Sequence, residues 1–293
     1  MLVILFSLLS AFFFACHSVA VKGGINDSNP MSATLISSLI NATFLWVVAI
    51  LFVPFKIFLN RGSIYLIVAG LLAPCLARLF LYTGIEKVGV SRASPIKETA
   101  QFFAAFAAVL ALGEHITAAI GIATVLTVLG VVLLSSSSSH NVKTPNQLQW
   151  KRKDLLFPFG AALLYGVSRI FRKLGMITVT SSWGGATVIA TISLLFFCIL
   201  IPFMKKRQRL EINKRSFGYF ALGGMFGGFG QVCVLAALKL GDVVIVGPLI
   251  STAPLFALVL TYMFLRKFER ITLQVVLGAI IIVIAVIILT TMS

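Results

Sequence analysis

The stretch Ser94–Glu114, SPIKETAQFFAAFAAVLALGE, is apolar enough to cross a bilayer, yet it carries Lys97 and Glu98. An ionisable side chain deep in a membrane costs about 2.5–3.5 kcal/mol on insertion scales, so it marks function unless it snorkels to the surface. A second stretch, GPLISTAPLFALVLTYMFL at 247–265, reads as a relative of the first with those charges removed. Pro95 meets Pro248, Thr99 meets Thr252, Ala100 meets Ala253, Phe103 meets Phe256 and Ala104 meets Ala257, all at an offset of 153 residues.

The repeat extends outward from this pair. EHIT at 114–117 answers ERIT at 269–272, and AFFFACHSVAVKGG at 11–24 answers ALLYGVSRIFRKLG at 162–175. The latter alignment pairs Ala15 with Gly166, Lys22 with Lys173 and Gly24 with Gly175. VPF at 53–55 answers IPF at 201–203, Ala123 answers Gly278, and Gly130 answers Ala285.

Composition fixes the solvent. Of 293 residues 59% are hydrophobic and 11% charged, against about 25% charged in a soluble domain; mean hydropathy is +1.07. Apolar segments fall at 2–21, 32–54, 64–84, 90–112, 116–134, 155–174, 182–203, 216–238, 243–264 and 271–290. Each has about the 20 residues that a helix needs to cross hydrocarbon. The expected fold is an all-α integral membrane protein of ten transmembrane helices. A first five-helix repeat spans 2–134, a polar Ser-rich linker 135–153, and a second repeat 154–291. Five is odd, so the second repeat enters the membrane upside down, as in many transporters. A multi-pass protein of the cell membrane, in contact with lipid, follows.

A small-residue and aromatic first span ending in a basic residue and Gly, followed by Pro-x-x-x-Thr-x-x-x-Phe and by Gly-Glu-x-Ile-Thr, resembles the EamA-type permeases of the drug/metabolite transporter superfamily. The resemblance covers nearly the whole chain as two units. It departs at KFER, where no Gly precedes Glu269. It implies ten helices and transport of small metabolites or drugs, with no single substrate.

The charged residues sort by depth. Lys22, Arg172 and Lys173 sit at span ends, where snorkelling accounts for them. Glu114 and Glu269 open spans 5 and 10, where a carboxylate suits the positive helix end. Arg78, Lys97 and Glu98 lie deep, and Arg78 and Glu98 are at similar depth on antiparallel neighbours, so they can pair. Lys97 is not expected to pair with Glu98, because adjacent helical residues point about 100° apart. Under the repeat Arg78 maps to Gln231, Glu98 to Ser251, His17 to Ser168 and Ser18 to Arg169. Equivalent positions are polar in both units, as a cavity on the pseudo-two-fold requires. The candidate substrate-binding set is therefore Arg78, Lys97, Glu98, Gln231, His17, Ser168, Arg169 and Ser251.

Other chemistry finds no support. Gly-rich GGMFGGFG at 223–230 lacks the Gly-Lys-Ser/Thr ending of a phosphate loop; Gly223, Gly227 and Gly230 line one side of span 8, where they permit close helix approach. The four cysteines lie within spans at no metal or disulfide spacing and read as small core residues. No catalytic set, metal or cofactor is expected, and the chain is not read as an enzyme. The net charge of +16 is a membrane-surface property, with no nucleic-acid partner implied. The expected function is a secondary transporter that moves a small anionic or zwitterionic metabolite, with amino acids the leading class, by alternating access and as an exporter. The alternatives are a carrier of drugs or lipid-linked sugars, or a membrane scaffold or sensor. Oligomeric state is left open.

Lysine and arginine number sixteen around the loops that join spans 1–2, 3–4, 5–6, 7–8 and 9–10, against five around the other loops. The positive-inside rule places the richer side in the cytoplasm and both termini outside, whereas the resemblance implies termini inside. Following the charge count, a cysteine at Ser293 should react with an impermeant thiol reagent on intact cells. Labelling only after lysis would reverse the assignment.

Overall fold

The computed structural model describes residues 1–25, 28–138, 151–200, 213–264 and 273–292, and every regular element among them is a helix. In chain order these are α1 (Leu2–Ile25), α2 (Pro30–Phe52), α3 (Ser63–Gly70, a wide turn at Leu71–Leu76, then Ala77–Val88), α4 (Val90–Glu98 and Ala100–Leu112) and α5 (Ala118–Ser138). The second series is α6 (Leu156–Thr178), α7 (Ser182–Leu200), α8 (Lys214–Leu240), α9 (Val243–Ile250 and Ala253–Phe264) and α10 (Leu273–Met292). Each matches the span of the same number. Among the described residues nine helices are long and apolar enough to cross a membrane, and α5 has a shorter apolar run, Ala118–Leu134.

Local chemistry sets the ends. Asn29 caps α2, its side-chain oxygen accepting from the Ser32 N–H at 2.8 Å, and Pro30 follows as the first helical residue, where its missing N–H costs nothing. Gly113 ends α4 at φ 68°, a left-handed position that a side chain rarely adopts.

The charged phrase and its neutral relative share a backbone device. Both α4 and α9 break in mid-membrane, after Glu98 and after Ile250. Freed carbonyls must be satisfied inside a bilayer. Thr99 donates its hydroxyl to the Ile96 carbonyl at 2.6 Å, and Thr252 donates to Leu249 at 2.7 Å. The Pro-x-x-x-Thr motif thus marks a break whose carbonyl is satisfied by the threonine.

The packing repeats under the same symmetry. α1 packs on α8 and α9, while α6 packs on α3 and α4; α2 faces α7, and α5 faces α10. The matched glycines Gly24 and Gly175 serve the two equivalent crossings. A Cβ on Gly24 would meet the Phe220 ring of α8 at 2.6 Å, and one on Gly175 would meet Leu66 of α3 at 2.6 Å. Gly223, Gly227 and Gly230 face Val21, His17 and Phe14 of α1, as their spacing implies, while Gly224 and Gly228 receive α2. In the α5–α10 pair a Cβ on Gly130 would stand 2.8 Å from the Gly278 carbonyl, and the reverse holds. Loops therefore alternate between two faces. The face bearing both chain ends is called here the terminus side and the opposite face the linker side.

Glu114 departs from expectation. It does not serve the start of α5; its two oxygens accept from the Val243 and Val244 N–H groups at 2.9 and 3.0 Å, capping α9 in the other repeat. The geometric reason is that residues 113–117 precede α5 as an irregular segment lying beside the start of α9. Its sequence mate Glu269 lies outside the described residues, as do residues 139–150 of the linker and the basic residues at 205–209 and 266–270. The thiols are all free; Cys75 is buried, but Cys198 faces outward rather than into the core. Leaving two buried N–H groups unpaired costs about 1–3 kcal/mol each. Glu114→Ala should lower unfolding stability in detergent by about 2–6 kcal/mol, with Glu114→Gln intermediate. An unaltered thermal transition for Glu114→Ala would count against the cap.

Candidate functional site

A cavity of about 610 Å³ lies at the centre of the bundle, and its lining comes from every helix except α5 and α10. The lining is itself two-fold. Tyr165, Arg169, Arg78, Lys97, Glu98 and Gln101 line one wall, on α3, α4 and α6. At the repeat-equivalent positions Phe14, Ser18, Gln231, Ile250, Ser251 and Pro254 line the opposite wall, on α1, α8 and α9. One wall is charged and its mate is neutral. α2 and α7 close the remaining sides with Ser37, Ser38, Asn41, Ala190 and Ser193.

On the charged wall, Lys97 donates to the Glu98 carboxylate at 2.8 Å. This corrects the expected separation of the two: the long lysine stem spans the angle between neighbours, and Glu98 is the last residue before the break. The expected Arg78–Glu98 pair is absent. Arg78 lies over the Phe197 ring of α7, 5.8 Å from its centroid. Arg169 donates to the Gln101 side-chain carbonyl, and Gln101 donates to the Ser251 hydroxyl, so one chain of hydrogen bonds ties α6 to α4 and α9. Arg172 donates to the Ala73 carbonyl at 3.1 Å and keeps a buried, unpartnered Nε. Among the described residues no carboxylate lies within 4.0 Å of Arg78, Arg169 or Arg172.

Seven of the eight sequence candidates line this cavity: Arg78, Lys97, Glu98, Gln231, His17, Arg169 and Ser251. Ser168 does not. It is buried and donates to the Ala69 carbonyl of α3 at 3.0 Å. Its mate His17 meets the Gly223 carbonyl of α8 at 2.7 Å, which makes Nδ1 the donor. The two positions are polar partly because each pins the first helix of one repeat to the third helix of the other. Arg172 is the residue the end-of-span argument missed. α6 runs on to Thr178, which carries Arg172 inward; Tyr165, Arg169 and Arg172 at spacings of four and three share one helical face, and that spacing was the available signal. Lys173 does stay near the end, donating to the Gly241 carbonyl at 2.6 Å. Gln101, Asn41 and Tyr165 also went unread.

On the terminus side α2 and α7 meet. Trp46 donates to the Thr191 hydroxyl at 2.9 Å, and Thr187 donates to the Leu45 carbonyl at 3.3 Å. Behind them Phe229 packs on Phe44, Phe13 and Trp183, with centroids 4.9, 5.4 and 6.1 Å away. Toward the linker side the same helices do not repeat that seal. The mate of Thr187 is Leu39, which has no hydroxyl to donate, and the Lys97 side chain, which lines the cavity, keeps 36% exposure two turns into α4.

The model of the EamA-like transporter family matches residues 1–136 and again 152–291. The chain belongs to this family, within the drug/metabolite transporter superfamily. This EamA-like transporter is 22% identical over 289 residues to an uncharacterized transporter of Archaeoglobus fulgidus, covering 99% of the chain and 98% of the relative. A crystal structure with 14% identity superposes at a TM-score of 0.79 over 98% of this chain and 96% of that one, which shows a shared fold. The family makes the chain a multi-pass membrane transporter, a non-enzyme class.

The one-sided seal has a direct test. Ser18 lines the cavity and is exposed. With the four native cysteines replaced, Ser18→Cys in sealed vesicles of known orientation should react with an impermeant maleimide from the linker side. Prompt reaction from the terminus side would contradict the seal.

Proposed function

We propose that this EamA-like transporter carries a small organic anion or zwitterion by alternating access, loading it into the central cavity from the linker side. The observation that supports this reading is the excess of guanidinium over carboxylate. Arg78, Arg169 and Arg172 line the cavity with no carboxylate within 4.0 Å among the described residues, while the carboxylate of Glu98 is already held by Lys97. A cargo carboxylate or phosphate meets planar donors suited to bidentate hydrogen bonds. The neutral wall, with Phe14, Ser18 and Gln231, suits an uncharged or mildly polar end of the same molecule. An amino acid fits if its ammonium competes with Lys97 for Glu98. The charge count favours a cytoplasmic linker side, and loading from that side supports export of the cargo.

A carrier of lipophilic cations is less well supported, because it wants an acidic side chain free of cationic partners. A scaffold or sensor would tolerate neutral substitutions of the cavity arginines. Each charge-assisted hydrogen bond is worth about 1.5–3 kcal/mol, or roughly 10- to 100-fold. In proteoliposomes screened with a panel of radiolabelled amino acids, organic acids and cationic dyes, transport of an anion or zwitterion should fall at least tenfold in Arg172→Gln and in Arg169→Gln, with folding intact by thermal denaturation. Transport of dyes alone, or full activity in both variants, would refute the reading.

A further inference from the structure

We infer that this transporter is a strict exchanger: the empty cavity does not change sides, and an anion must ride in each direction. The inference rests on the anion reading above and extends it to the return half of the cycle. Three guanidiniums line the cavity, and among the described residues none has a carboxylate within 4.0 Å. Arg78 meets the Phe197 ring and Tyr165, Arg169 the Gln101 carbonyl and Arg172 the Ala73 carbonyl, while Glu98, the acidic group that acts on Arg169 from farther off, is held by Lys97. In the conformation open to the linker side, water that reaches Lys97 hydrates this wall.

Changing sides passes through a state sealed at both ends, and that state excludes the water. Unpaired charge in such a site is costly. A lysine or histidine can shed its proton to escape that cost, but an arginine side chain stays charged in proteins. The opposite wall offers no relief. The positions equivalent to Arg78, Lys97, Glu98 and Arg169 are Gln231, Ile250, Ser251 and Ser18, and Glu98 is the only acidic residue in the lining among the described residues. The Lys97–Glu98 pair is neutral as a unit, so it leaves the guanidinium excess untouched. A bound anion supplies the missing counter-charge. It therefore lowers the barrier to sealing, which makes the loaded carrier the mobile one.

The test uses the full-length Ser18→Cys protein in sealed proteoliposomes of one orientation, with labelling from the terminus side as the measure of side-changing. The probes are succinate, inorganic phosphate and glutamate. In chloride buffer alone labelling should be slow. At least one probe should accelerate it tenfold or more. Arg78→Gln/Arg172→Gln should label at least tenfold faster than the parent without any probe, while Arg78→Lys/Arg172→Lys should label faster as pH rises and the parent should not, since a buried lysine can shed its proton and an arginine cannot. An empty parent protein that labels from the terminus side as fast as the Gln variant overturns strict exchange. A slow parent that no probe accelerates overturns the anion reading instead. Where the Gln variant does not fold, the parent decides: uptake of labelled probe into vesicles preloaded with it should exceed uptake into empty vesicles at least tenfold, and equal uptake overturns the inference.

Discussion

A guanidinium keeps its charge in a bilayer, and this chain holds three of them near the middle of one. That constraint orders the rest of the molecule. The arginines must be screened from lipid, so α3, α4 and α6 close around them, and α6 reaches both neighbours through Gly166 and Gly175, where a Cβ would strike Phe103 and Leu66 at 2.7 and 2.6 Å. They must be given donors' partners, so carbonyls are turned toward them: Ala73 in the wide turn of α3 for Arg172, and the Gln101 side chain beside the break in α4 for Arg169. Irregular backbone at mid-membrane is tolerable only where protein or water covers it. Here the irregular segments flank the cavity itself.

Duplication and divergence explain why the charges sit where they do. Two inverted repeats build a cavity whose walls exchange under the two-fold, so every lining position occurs twice. Features that hold the backbone are retained in both copies: Thr99 with Thr252, Pro95 with Pro248, Gly24 with Gly175. Features that meet the cavity content differ: Arg78 against Gln231, Glu98 against Ser251, Arg169 against Ser18. The phrase that occurs once charged and once neutral is the record of this division. Its proline and threonine serve the helix break, and its lysine and glutamate serve one wall.

Much of this was legible in the sequence because the signals were periodic or repeated. Span parity together with the repeat required inversion, and mate positions that are polar in both copies led to a shared cavity. What failed depended on side-chain reach and on helix ends. Arg172 falls at a span end when the apolar segment stops at residue 174; the helix continues to Thr178, held by packing against α3. Ser168 was assigned to the cavity because its mate is polar, yet both mates also serve a helix contact, His17 to Gly223 and Ser168 to Ala69. The Lys97–Glu98 pair was discounted on backbone angles, which ignore a flexible four-carbon stem. Glu114 was read with its own helix because a cap supplied across the repeats leaves no local pattern.

The asymmetry of the two ends follows from the same logic. A pseudo-two-fold carrier has two equivalent ways to seal, one on each side, and a single conformation shows one of them. The seal present here uses Trp46, Phe44 and Trp183. Under the offset that joins VPF to IPF, the positions equivalent to these are Leu194, Ile192 and Leu35. They are aliphatic and smaller, with no indole N–H to donate. The terminus-side seal is therefore both more apolar-aromatic and hydrogen-bonded, whereas a linker-side seal built from the equivalent residues has packing alone. Shape and hydrogen bonding favour resting closed on the terminus side, and arginines that have no carboxylate within 4.0 Å among the described residues oppose drying out an empty cavity. Under the exchange proposed above, both effects bias the unloaded protein toward the conformation observed, and cargo would supply the free energy difference that permits the change.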